Sequence, residues 1–236
     1  MSDSSTAKRV RAGDRRALAR LITAIESRDP NAEEIVSELL ESETLARRIG
    51  VTGPPGAGKS TLVNAMVTEL RSRGDTVAVL AVDPSSPITG GALLGDRIRM
   101  QGHIDDPGVY VRSMASRGHL GGLAPAASPT ISVLSRAGFD VILVETVGVG
   151  QSEIEVMDLV DVVVLVLGPG WGVQIQASKA GIVEITDVYV VNKGDRPGVD
   201  TVHRALLENL GDSQAPVLVT TALTGEGVPE LVDAVR

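Results

Sequence analysis

Gly53-Pro54-Pro55-Gly56-Ala57-Gly58-Lys59-Ser60-Thr61 decides the reading of this 236-residue chain. The stretch satisfies the phosphate-loop pattern: a glycine, four residues, then Gly-Lys and a hydroxyl. Its glycines let the backbone curl until several N–H groups face one point, with the positive end of the next helix behind them. Lys59 brings a charge suited to β- and γ-phosphates, and the Ser60 hydroxyl suits Mg²⁺. The flanks agree. Residues 49–52 read as a short strand entering the loop, and residues 62–67 as the helix leaving it. A chance glycine-rich turn would carry neither that order of residues nor those flanks. The stretch implies binding of a nucleoside triphosphate.

Composition narrows the rest. Aromatics are only 2% of the residues, so the core must be built from Val, Leu, Ile and Ala. The length suits one large α/β unit with an ample core. No apolar run is long enough to span a bilayer, and the N-terminus MSDSSTAKRVRAGDRR lacks the apolar centre of a signal peptide, so a cytoplasmic protein without membrane attachment is expected. The absence of cysteine excludes disulfides, thiolate metal sites and a cysteine nucleophile. A net charge of −8 argues against a nucleic-acid face. Only 4 of the 22 basic residues are lysines, which fits a GC-rich genome or a salt-adapted host equally well.

The first 46 residues read as a helical extension. Leu18, Leu21, Ile22 and Ile25 share one helical face, with arginines on the other; Pro30 should end that element. Asn31 with Glu34 then resembles a capping box for a second helix carrying Ile35, Val36, Leu39 and Leu40. The basic face at Arg11, Arg15, Arg16 and Arg20 is expected to be solvated. Residues 47–236 form the nucleotide-binding domain. Strands are expected at 76–82, 109–112, 141–145, 162–167, 188–192 and 217–221, with helices near 96–101, 129–137, 153–159, 174–185, 199–210 and 227–235. Near-continuous apolar strands imply coverage on both faces, hence a mainly parallel sheet with helices on each side.

Ligands of such sheets lie beyond the carboxyl ends of the strands. Asp83, Glu145 and the run Asn192-Lys193-Gly194-Asp195 fall at those ends. Any one of them could be a plain strand terminator; the set, together with the phosphate loop, is a site. The NKGD run matches the NKxD base-recognition pattern of GTPases. An aspartate there accepts from the ring N–H and the exocyclic amino group of guanine, a pairing adenine does not offer. Thr221-Ala222-Leu223 resembles the companion element whose backbone N–H meets the guanine oxygen. Glu145-Thr146-Val147-Gly148 occupies the place of DxxG, where the acid serves Mg²⁺ and the glycine N–H serves the γ-phosphate. GTP or GDP with Mg²⁺ is the expected ligand.

RAGDRRALARLITAIESRDP, GPPGAGKST, AVDPSSPITGGALLGDRIRM, GFDVILVETVGVGQSE and NKGD together resemble the MeaB/ArgK-type (MMAA-like) P-loop GTPases, in the same order and over nearly the whole chain. The resemblance implies a SIMIBI-class fold. It also implies a GTP-hydrolysing chaperone that gates cofactor loading, and protection, of an adenosylcobalamin-dependent acyl-CoA mutase, typically methylmalonyl-CoA mutase. By the same resemblance Lys59, Ser60 and Thr61 hold phosphate and metal. Asp83 and Asp96 lie in a first switch near Mg²⁺, and residues 145–151 form the second. Two departures stand out. Val173 and Gln174 replace the acids usual in the third switch after Pro169-Gly170-Trp171-Gly172, and nothing beyond Arg236 matches the family's dimerisation arm. A monomer without nucleotide is therefore expected. Hydrolysis should be slow without the client. A nucleotide-gated adaptor with negligible turnover, or a metal-insertion GTPase, are the alternatives; His103, His119 and His203 without cysteine do not favour the latter.

Overall fold

A computed structural model describes residues 3–41, 46–83, 101–103, 105–115, 126–146, 157–171, 182, 184–211 and 213–236. Seven strands form one sheet: β1 (Arg47–Thr52), β2 (Val77–Asp83), β3 (Val109–Ala115), β4 (Val141–Thr146), β5 (Val162–Leu167), β6 (Val188–Asn192) and β7 (Val217–Thr220). Their order is β3-β2-β4-β1-β5-β6-β7, and every pairing is parallel. β4, β5 and β6 are buried at every position. That burial explains their unbroken apolar sequences, because a parallel strand under helices on both faces has no wet side.

Among the described residues the α-helices are α1 (Asp3–Arg11), α2 (Arg15–Glu26), α3 (Pro30–Leu40), α4 (Lys59–Ser72), α5 (Ala127–Leu134), α6 (Val199–Leu210) and α7 (Val228–Val235). On one face of the sheet, Leu62 and Met66 of α4 and Leu231 and Val232 of α7 pack with Val51, Val164 and Val190. On the other, Leu18 and Ile22 of α2, Ile131 of α5 and Leu206 of α6 pack with Leu80, Val144 and Leu165. The N-terminal helices thus cover the same face as α5 and α6. Among the described residues no helix is long and apolar enough to cross a membrane.

The N-terminal elements differ from expectation in instructive ways. Gly13 turns the chain at φ +77, and the Asp14 carboxylate caps α2 by accepting from the Arg16 and Ala17 N–H groups, so three helices stand where two were expected. Asp29, not Asn31, caps α3, and Pro30 opens that helix rather than closing the one before. A proline in the first turn sacrifices no hydrogen bond, since that N–H has no intrahelical partner. Arg15 is not a solvated side chain: its guanidinium donates to the carbonyls of Asp106, Pro107 and Val109, fastening α2 to the start of β3. Arg11 likewise reaches the Glu38 carbonyl and ties α1 to α3, whereas Arg16 and Arg20 are exposed. Gly138 adopts φ +82, but α5 has already ended at Leu134 with Ser135 as its cap. The helices expected near 96–101, 153–159 and 174–185 fall wholly or largely outside the described residues.

Candidate nucleotide-binding site

The phosphate loop leaves β1 at the carboxyl edge of the sheet, where β4 and β5 flank it. Gly53 sits at φ +144, and a Cβ there would lie 2.1 Å from the Val166 carbonyl oxygen, so the loop rests directly on the β5 backbone. Gly58 sits at φ +95, with room for a Cβ denied by the Asn192 amide nitrogen at 2.4 Å. Only glycine meets both demands. Three side chains then hold the loop's carbonyls. Lys59 Nζ donates to Gly53 at 2.7 Å and Pro54 at 3.1 Å, Lys193 Nζ to Gly56 at 2.7 Å, and Asn192 Nδ2 to Ala57 at 3.0 Å. A peptide unit is planar, so fixing each C=O fixes where the adjoining N–H points. Beyond the loop, α4 begins without a side-chain cap. The N–H groups of a helix's first turn lack intrahelical acceptors, an arrangement that suits an anion.

Glu145 stands beside this loop by register: it pairs with Val51 of β1 on one side and with Ala81 of β2 on the other. The Ser60 hydroxyl, from the first turn of α4, donates to Glu145 Oε1 at 2.6 Å, and both residues are buried. A hydroxyl and a carboxylate are hard oxygen donors, which suits Mg²⁺ bound mainly through phosphates and retained waters. Among the described residues no group of three or more His, Cys, Asp or Glu side chains able to hold a metal occurs. Asp83 closes β2 opposite Ala115 of β3. Its side chain, Asp96 and Gly148 lie outside the described residues.

Asn192, buried at the end of β6, is the hub of the second half of the site. While its amide nitrogen holds the phosphate loop, its Oδ1 accepts from the Thr220 hydroxyl at 3.1 Å and from the Ala222 N–H at 3.2 Å. Lys193 takes φ +65 to turn the chain, leaving Asp195 exposed at the rim. After β7, Thr221 is pinned by its N–H to the Glu226 carbonyl at 2.9 Å, and its own carbonyl accepts from the Thr224 and Gly225 N–H groups. Leu223 projects at the tip, 82% exposed. The structure thus brings Gly53–Thr61, Glu145, Asn192–Asp195 and Thr221–Leu223 to one edge. Thr220 and the Val166 carbonyl belong to this assembly and were missed from sequence. A hydroxyl at a strand end could have flagged Thr220; a backbone oxygen leaves no sequence signal. Trp171 packs half-buried against the apolar cluster on the α2 face.

A parallel sheet whose phosphate loop and NKxD run meet at one edge defines a P-loop GTPase. Comparison with known proteins takes this further. The family model for methylmalonyl-CoA mutase-associated GTPase MeaB matches residues 18–236, and the chain belongs to that family. A putative GTPase of Pyrococcus horikoshii is 48% identical over 97% of this chain and 75% of its own length. The GTPase ArgK of Escherichia coli is 39% identical over 97% of this chain and 73% of its own. The mouse mitochondrial methylmalonic aciduria type A homolog is 37% identical over 95% of this chain and 60% of its own. Among solved structures, that of an LAO/AO transport system kinase aligns with a TM-score of 0.77 at 29% identity, covering 99% of this chain and 73% of that one. The chain is a GTPase.

Proposed function

We propose that the chain couples GTP hydrolysis to an adenosylcobalamin-dependent acyl-CoA mutase, methylmalonyl-CoA mutase first among candidates, gating cofactor loading and protecting the loaded enzyme. The observation that carries this reading is the match of residues 18–236 to a mutase-associated GTPase family. Residues 47–236 are the GTPase part, and the N-terminal helices are its accessory cover.

In this reading Lys59 and the loop N–H groups bind the β- and γ-phosphates, and Asp195 selects guanine, with backbone from Thr221-Ala222-Leu223 at the base oxygen. Pro54, Pro55, Gly56 and Ala57 act through backbone alone. Mg²⁺, when bound, would be held by Ser60 and Glu145, with Asp83 and Asp96 from the first switch, and would neutralise phosphate charge. Water attacks the γ-phosphorus, the bond to the β–γ bridging oxygen breaks, and GDP and phosphate leave. Lys59 and the fixed N–H groups stabilise the charge that develops on those oxygens. Gly148 contributes its N–H from the second switch.

Hydrolysis by the isolated chain is slow on this reading, because a missing activating group accounts for about 10³–10⁵ in the rate of phosphoryl transfer. Phosphate release should be measured with the chain alone and with a purified adenosylcobalamin-dependent mutase, in its apo and holo forms. Acceleration of at least about tenfold is expected. Fast multiple turnover alone, unchanged by any such mutase, would overturn the client assignment.

A further inference from the structure

The turn after β7 doubles back and lies against the strand it has just left. The Thr221 N–H donates to the Glu226 carbonyl at 2.9 Å, which closes the turn. Gly227 follows at φ +74, immediately before α7. A Cβ there would stand 2.2 Å from the Val219 carbonyl oxygen, 3.2 Å from the Val219 carbonyl carbon and 3.2 Å from Thr220 Cα. All three atoms are backbone, so no change of rotamer makes room. Gly225, two residues earlier, shares the left-handed backbone at φ +83 but has nothing within 4 Å of its Cβ position. Both glycines meet a conformational demand, and Gly227 meets a spatial one as well.

Neither side of this contact is free to retreat. Val219 and Thr220 belong to β7, which is paired with β6 from Val217 to Thr220. On the other side, α7 buries Val228, Leu231, Val232 and Val235 in the cluster it shares with α4. Arg73 of α4 also donates to the Pro229 carbonyl at 3.2 Å and pairs with Asp233. A side chain at 227 must therefore shift the limb that carries Glu226, and the Glu226 carbonyl takes Thr221 with it.

We infer that the contact of Gly227 with the β7 backbone sets the position of the Thr221–Leu223 segment that faces the guanine base. Backbone on both sides makes the contact, so it does not depend on nucleotide. Gly227 acts through the turn without touching the ligand and is a positioning residue. The inference rests on the guanine reading of Asp195 and Thr221-Ala222-Leu223.

The test compares GDP, ADP and inorganic tripolyphosphate binding by calorimetry for the unmodified chain, Gly227→Ala, Gly227→Asn and Gly225→Ala, with folding checked by circular dichroism. Gly227→Ala should weaken GDP by about tenfold, the scale of one overpacked methyl. Tripolyphosphate, which engages only the phosphate loop, should bind it as before. Asparagine tolerates a left-handed backbone but brings the same Cβ, so Gly227→Asn should lose GDP to a similar degree. Gly225→Ala meets backbone strain alone and should leave GDP binding unchanged. Unchanged GDP binding by Gly227→Ala, equal losses of GDP and tripolyphosphate, recovery in Gly227→Asn, or an equal loss in Gly225→Ala would each overturn the inference. If neither variant at 227 folds, hydrogen exchange of the unmodified chain decides. The Thr221 amide should be protected without nucleotide; protection that arises only with GDP would overturn the inference. Equal affinity of the unmodified chain for GDP and ADP would instead sink the guanine reading itself.

Discussion

The two ends of the sheet use the same residue types for opposite purposes. At the amino ends, Asp140, Asp161 and Asp187 each stand immediately before a strand, β4, β5 and β6 respectively. Each carboxylate accepts a backbone N–H at the start of a neighbouring strand: Thr76 at 2.7 Å, Arg48 at 2.8 Å and Val163 at 2.8 Å. Arginines complete the fastening, with Arg48 on Asp161 and Arg71 bidentate on Asp106. At the carboxyl ends, Glu145 meets a serine hydroxyl, Asp195 faces solvent, and Lys59 and Lys193 donate to phosphate-loop carbonyls. Acids beside cations close the fold at one edge. At the other, the contacts described for Glu145, Lys59 and Lys193 are with a serine hydroxyl and with phosphate-loop carbonyls.

The aspartates at the amino ends titrate low. Hydrogen bonds from the Thr76 N–H and hydroxyl hold the Asp140 carboxyl below the usual carboxylate range. The Arg71 guanidinium, then the Gly108 N–H, do the same for Asp106. For Asp161, burial pushes upward, but the Arg48 bonds outweigh it and the carboxyl titrates low.

Substitutions at the two ends should therefore separate function from stability, and the largest separation comes at Lys59. Lys59→Ala should abolish measurable GTP and GDP binding in calorimetry while the chain remains folded by circular dichroism. A variant that still binds GTP tightly would mean that the phosphate loop is not the site. Next in size is Asp195→Asn. On the guanine reading it replaces one of the two carboxylate oxygens by an amide donor that faces a guanine N–H, and removes the charge; a charged bond is worth roughly 1.5–3 kcal/mol, so GTP should weaken tenfold or more. Xanthosine triphosphate, whose carbonyl suits an amide donor, should gain; failure to gain would separate base recognition from general disruption.

Asn192→Ala blurs the division and so tests it from the other side. The side chain bridges two segments of the site from a buried position, and its loss leaves buried partners unsatisfied. Urea unfolding should show a loss of about 1–3 kcal/mol, with weaker nucleotide binding as well. A change in binding alone would mean that the bridge does not support the fold. The smallest effect belongs to the amino end. A carboxyl whose folded pKa lies below its unfolded value of about 3.9 adds stability that is complete above that value and is lost as pH falls through the folded pKa. Asp140→Asn should thus flatten the acid limb of stability below about pH 4 while leaving GDP affinity at neutral pH unchanged. A nucleotide defect in that variant would show that the two ends are coupled through β4.

The fold class, all seven strands and the phosphate loop were legible in the sequence because each is written locally. Unbroken valine runs leave no wet face for a parallel strand, and the order of types in GPPGAGKST suits one backbone curl. Family membership was legible for the same reason, since its motifs are contiguous. The three-helix N-terminus was half-legible: apolar periodicity located Leu18 to Ile25, but choosing between Asp29 and Asn31 as cap depends on which oxygen reaches the free N–H groups. What the linear chain could not contain are relations between residues far apart in it. Nothing near Arg15 announces the carbonyls of residues 106–109, nothing near Asp140 announces Thr76, and nothing within NKGD says that the Asn192 side chain joins the phosphate loop to Thr220. Strand order and close packing decide those, because an aspartate or a glycine carries the same local preferences wherever it stands, and only the neighbours brought by the sheet determine whether it closes the fold or shapes the site.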